Sequence, residues 1–164
     1  MDAKTGNMAI VYGAVAVMSV LLLVGYLLWE KKKESRFVAL FSCVAVVNFG
    51  YFLQAVSNTL TGAMMANRLS YLGAAYSILV MLLIIMDVCQ IRRYKWVTGI
   101  LVGISTLAFL LAASGDWLGL YYKAVSITIV NGMTRLVKDY GPLHILYTVY
   151  LLSYFVMMVA VILH

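Results

Sequence analysis

The sequence predicts an all-α membrane protein, a bundle of five transmembrane helices with a small extracellular β-hairpin between the fourth helix and the fifth. Three observations carry that prediction. Five long apolar stretches, divided by short polar breaks, fill most of the 164 residues; hydrophobic residues make up 65% of the chain against 11% charged; and Pro142 is the only proline. A soluble domain of ordinary size holds only about 45–50% apolar residues. Helices are favoured over barrel strands because the stretches are continuously apolar, whereas barrel strands are segments of about ten residues with alternating polarity.

A bilayer core about 30 Å thick takes about 20 helical residues to cross. Met8–Trp29, Phe37–Ser57, Leu69–Ile91, Trp96–Ala113 and Leu143–Leu163 each come near that length. The first reads as a mature helix and not as a cleaved leader. It exceeds the roughly 7–15 residues of a leader core, and a basic stop follows it where a small-residue cleavage site would be needed. Residues 1–164 therefore form a single transmembrane domain in this reading.

Orientation follows from lysine and arginine, which gather in short cytoplasmic loops. Lys31, Lys32, Lys33 and Arg36 in the first loop and Arg92, Arg93 and Lys95 in the third put seven cations on one side. The other side carries five, Lys4, Arg68, Lys123, Arg135 and Lys138, three of them in a 29-residue loop where charge matters less to insertion. The N-terminus is expected outside and the C-terminus in the cytoplasm. These flanking cations account for the pI near 9.4 without nucleic acid, and the Lys31–Arg36 cluster suits anionic lipid heads. The fifth span runs to His164 without a basic flank or a polar tail, so the chain reads as truncated at its C-terminal end.

The loop Ser114–Pro142 is too long for a simple turn. Within it, the β-branched run Val125–Val130 is followed by Asn131-Gly132 and then Met133–Val137. Asn-Gly between two such runs is the strongest short hairpin signal, because both central residues of a type I′ turn need positive φ. Gly141-Pro142 then suits the start of the fifth helix, where a proline in the first turn removes no hydrogen bond. A lone hairpin is marginal in water, so this one must pack on something. Trp117, Tyr121 and Tyr122 precede it at interface depth and His144 follows it. For the three aromatics, with Asp116 beside them, the ordinary role is anchoring at the membrane interface and the functional one a ligand-binding aromatic cage; His144 reads as a candidate ligand-binding and acidity-sensing residue.

Polar residues inside the spans are the other candidates. Asp87, near the inner end of the third span and about one turn from Arg92 and Arg93, is either an interfacial charge pair or a signal-coupling group. It shares a face with Tyr76, Val80 and Leu83. Asn48 and Gln54 read as hydrogen-bonding glue between helices, the Tyr147, Tyr150 and Tyr154 stripe as packing, and the Gly99/Gly103 pair as a close helix contact. Cys43 and Cys89 read as reduced, buried packing residues.

No nucleotide-binding loop, HExxH or CxxC motif is present, and no lysine lies at the middle of a span, so catalysis, metals and cofactors are not expected of this polypeptide.

Three segments, taken in order, carry a resemblance. Gly119-Leu120-Tyr121-Tyr122-Lys123, the stretch from Tyr140-Gly141-Pro142-Leu143-His144 to Leu152, and Ser70-Tyr71-Leu72-Gly73-Ala74-Ala75-Tyr76 at the head of the third span are similar to the N-terminal seven-helix sensor region of bacterial membrane histidine kinases. The same region stands in front of diguanylate cyclase domains. The resemblance implies an extracellular N-terminus, a signal-input role for an unknown extracellular ligand, a homodimer in the bacterial plasma membrane, and output domains attached after a seventh helix. This chain departs from it in having five spans and no output domain, both differences falling at the C-terminal end. The competing class is a small transporter or channel subunit. That class calls for inverted repeats and broken helices with midspan charge, and the chain offers neither.

Overall fold

The computed structural model describes residues 7–91, 94–114, 120–130 and 133–163. Five helices, α1 (Asn7–Trp29), α2 (Ser35–Val56), α3 (Leu60–Val88), α4 (Lys95–Ala113) and α5 (His144–Leu163), accompany one antiparallel two-stranded sheet, β1 (Tyr122–Val130) and β2 (Met133–Tyr140). All five helices are long and apolar enough to cross a membrane. The expected architecture is thus present, with the hairpin between α4 and α5.

One boundary differs substantially. α3 starts nine residues before the predicted Leu69, because Thr59 caps it: the Thr59 hydroxyl accepts the Gly62 amide proton at 3.1 Å. The extra turns mix small and polar residues with Leu60, Met64 and Met65, and Ala63, Ala66 and Asn67 are buried. Hydropathy finds the part of a helix that suits lipid, and α3 continues beyond it. At its other end α3 stops at Gln90, which holds a positive φ of 54°. The Gln90 amide donates to Asp87 and the Ile91 amide to Met86, each at 2.9 Å, the paired bonds of a Schellman turn.

Successive helices pack side by side, α1 on α2 and α2 on α3, while α4 and α5 lie against α3 and each other. α3 is the hub. It closes on α2 through two glycines. A Cβ on Gly73 would sit 2.6 Å from the Cys43 carbonyl oxygen, and one on Gly50 would sit 2.7 Å from the Ser70 nitrogen. The contact expected at Gly99 and Gly103 does not form: both are exposed, with nothing within 4 Å of an added Cβ. Close approach needs a small residue on the face turned to the neighbour, and α4 turns Leu101, Ser105, Ala108 and Ala112 inward.

Two further expectations are corrected. Neither Asn48 nor Gln54 makes a side-chain hydrogen bond among the described residues, and the Gln54 Oε1 is buried without a partner. Backbone approach at the two glycines joins α2 to α3 instead. Cys89 is exposed, because it caps α3 rather than lying within it, while Cys43 is half-buried as a free thiol.

The tyrosine stripe of α5 is buried, as its packing role requires, and it is also hydrogen-bonded. Tyr150 donates to the Ala75 carbonyl of α3 at 2.7 Å and Tyr154 to the Leu101 carbonyl of α4 at 2.7 Å. Ser105, fully buried, lies 3.0 Å from the first hydroxyl and donates to the second at 3.2 Å. Tyr76 meets Thr106 of α4 at 2.8 Å.

Candidate functional site

The hairpin seat is where polar chemistry concentrates. β1 and β2 pair from Val130↔Met133 to Tyr122↔Tyr140, two residues apart at the tip, with an irregularity between Tyr122 and Ala124. That register leaves a two-residue connection, which the sequence fills with Asn131 and Gly132; both lie outside the described residues, as do Trp117, Arg92 and Arg93. Both strands run three residues further towards the base of the hairpin than the β-branched runs indicate.

Alternation sends one face inward. Val125 and Ile127 of β1 are half-buried, and Thr134 and Leu136 of β2 are buried, while Lys123, Ser126, Thr128, Arg135, Val137 and Asp139 face out. Thr134 donates through its hydroxyl to the Ser57 carbonyl at the end of α2. At the hairpin base the Gly141 amide donates to the Tyr121 carbonyl at 2.8 Å and the Leu143 amide to the Leu120 carbonyl at 3.0 Å. These bonds fix the entry into α5, with Pro142 in the turn just before it.

Lys138, the next inward position of β2, reaches α3. Its Nζ donates to Asn67 Oδ1 at 2.6 Å and lies 5.5 Å from the ring centre of Tyr71 and 5.8 Å from that of Tyr122. Asn67 in turn donates to the Tyr122 hydroxyl at 3.3 Å. A lysine is almost never buried without such partners. The amide oxygen and the two ring faces replace part of the water the ammonium has lost. Burial nevertheless pulls the Lys138 pKa below its ordinary value.

The sequence candidates fall in the same place. Tyr121 and Tyr122 are fully buried and meet edge to face at 4.7 Å between ring centres. Tyr71 packs edge-on against Tyr121 at 6.2 Å and Tyr147 at 5.2 Å. His144 stacks on Tyr140 at 3.9 Å and lies 5.6 Å from Tyr121. Burial is the first cause that pushes the phenol pKa values of Tyr121, Tyr122 and Tyr140 above the ordinary one. The Tyr121 hydroxyl is buried with no hydrogen-bond partner. The structure thus brings Tyr121, Tyr122 and His144 together and adds Asn67, Tyr71, Lys138, Tyr140 and Tyr147. Of the added residues, Tyr147 belongs to the α5 stripe and Tyr71 and Tyr140 to the segments that carry the resemblance, whereas Asn67 lay outside every predicted span and Lys138 counted as one loop cation among several.

Asp87 is at the opposite end of the bundle, where it pairs with Arg36 at the start of α2. The pairing partner comes from the first basic loop. Tyr26 of α1 packs there against Phe37 and Phe41 of α2 at 6.2 and 5.2 Å. Helix ends therefore sort cleanly. The starts of α1, α3 and α5 and the end of α2 surround the hairpin, and Arg36, Asp87 and Lys95 mark the other end.

A family model described as the N-terminal 7TM region of histidine kinase matches residues 13–164, nearly the whole chain. No curated protein and no solved structure matches it.

Proposed function

The chain belongs to the family of N-terminal 7TM regions of histidine kinases, and from that premise we propose that it is the membrane-embedded signal-input module of a bacterial signal-transduction protein, relaying an extracellular or membrane stimulus to a cytoplasmic kinase or cyclase output domain. In this reading the basic end of the bundle is cytoplasmic, by the positive-inside rule. The N-terminus and hairpin then face outward, in the plasma membrane, and the C-terminal end of α5 faces the cytoplasm. The working unit is a homodimer, because such kinases act in pairs. The chain itself receives and relays, and chemistry belongs to the output domain.

One observation carries the proposal: the outward element is tied to the helix hub through a desolvated cation, Lys138 on Asn67. A stimulus that favours a displaced hairpin draws Lys138 from Asn67 and lifts Tyr121 and Tyr122 from their seat. The loosened contacts, Tyr71 on Tyr121 and Tyr147, belong to α3 and α5 directly. Tyr121, Tyr122 and His144, with Trp117 before them, are the proposed stimulus-responsive residues. Asp87, at the far end of the same α3, is the proposed coupling group, exchanging its hold on Arg36 as α3 moves. Only a stimulus with different affinity for the two packings shifts their balance.

The test is made in the native protein, reconstituted in lipid, by reading the basal output of its effector domain. Lys138→Met keeps the apolar stem and removes the tether. The expected result is a changed basal output with unchanged membrane insertion. Output identical to wild type would overturn the proposed role of the seat.

A further inference from the structure

We infer that the cleft between α1, the end of α2 and β2 is a binding site for a small N-acylated apolar amino acid or comparable amide-bearing acid. The assignment deepens the sensor reading and rests on it for its physiological meaning, but binding is measured without any signalling output, so the two fail separately.

The cleft has a volume of about 360 Å³ and is lined by Tyr12, Tyr51, Gln54, Thr134, Arg135 and Leu136 among others. That volume falls within the range of small-molecule sites, about 300–1,000 Å³. Three features define the chemistry. The Gln54 side-chain amide stands in the wall with its oxygen buried and unpartnered, and its nitrogen likewise makes no hydrogen bond among the described residues. An amide offers a donor and an acceptor side by side, so its natural complement is another amide. A buried acceptor left unsatisfied is costly, and a turn of the Gln54 side chain into the cleft, where it lines the wall, lets a ligand proton satisfy it.

Tyr12 and Tyr51 stand with ring centres 6.4 Å apart at 44°, giving an aromatic flank for an apolar or aromatic body. Arg135, on the outward face of β2, borders the same cleft and has no acidic partner among the described residues. A guanidinium at the mouth suits a carboxylate. Amide, apolar side chain and carboxylate in one small molecule describe an N-acylated apolar amino acid. The site also spans separate parts of the fold: α1 packs on α2, and β2 is held to α2 by Thr134 and to α3 by Lys138. A ligand wedged there bears directly on the hairpin.

The experiment is titration calorimetry of the full chain in lipid nanodiscs, with empty nanodiscs as the reference. Three probes are used: N-acetyl-L-phenylalanine, its N-methylated amide analogue, which lacks the N–H, and N-acetyl-L-phenylalaninamide, which lacks the carboxylate. Saturable one-site binding of the first is expected, with about tenfold weaker binding of each analogue, the size of one lost polar contact. Gln54→Leu should erase the preference for the N–H, and Arg135→Gln the preference for the carboxylate. Heat no greater than that of empty nanodiscs, meaning partition into lipid only, overturns the inference. So does wild-type protein that binds all three probes equally, a comparison that needs no variant to fold.

Discussion

Lys138 and Asn67 are 71 residues apart in the chain and 2.6 Å apart in space, and through them the hairpin grips the central helix. A hydrogen bond to a charged group contributes about 1.5–3 kcal/mol. Asn67→Ala leaves the ammonium desolvated and without its acceptor, so hairpin docking should weaken by about 2 kcal/mol. The double variant Asn67→Leu/Lys138→Met replaces both partners with apolar groups and should recover most of that loss. Hydrogen exchange of the β2 amides in nanodiscs measures both. Equal protection in wild type and Asn67→Ala would show that the tether does not hold the hairpin.

The helix hub gives a second prediction. Gly73→Ala places a methyl against the Cys43 carbonyl and should destabilise the bundle by about 1–3 kcal/mol, the usual range for overpacking. Gly103→Ala meets open space and should leave a single copy's unfolding midpoint unchanged. Denaturation in mild detergent separates the two, and a reversed order would mean that α2 and α3 are not packed as described.

Much of this was legible in the sequence, for a physical reason. Whether a stretch crosses a bilayer depends on a sum over its own residues, and a two-residue hairpin depends on local φ preferences, so both could be read from short windows. Helix-to-helix contacts depend on which face meets which neighbour. Hence Gly99 and Gly103 looked like a contact and Gly50 and Gly73 did not, although all four are glycines in apolar helices. Asn67 and Lys138 were invisible as a pair because no local rule links positions so far apart. Asp87 was readable as a charge-pairing residue, and its partner Arg36 required the fold.

The pH dependence follows from the buried phenols. An unfolded tyrosine loses its proton near pH 10, and Tyr121, Tyr122 and Tyr140 have folded-state values raised above that, first by burial. Their contribution to docking is therefore complete below about pH 10 and is lost as the pH climbs through the raised folded values. Phenolate absorbance near 295 nm should show a late-titrating fraction, and Tyr121→Phe should shrink that fraction alone. Loss from the early fraction would place the Tyr121 hydroxyl in water.

Topology supplies a fourth prediction, with a built-in reference. Ser126→Cys, on the exposed face of β1, should react with a membrane-impermeant maleimide added outside intact cells. Cys89, exposed at the opposite end of the bundle, should react only after permeabilisation. Reaction in the opposite order would invert the proposed orientation.

Tyr150 and Tyr154 sit one turn apart on α5, about 6 Å along its axis, and each donates to a carbonyl of a different helix, with Ser105 between them. Because both phenols project from one helix, a rotation of α5 acts on both bonds at once. A twist of α5 that frees one strains the other. The pair thus sets α5 in one register against both neighbours, where a looser apolar seam would let it slide by degrees.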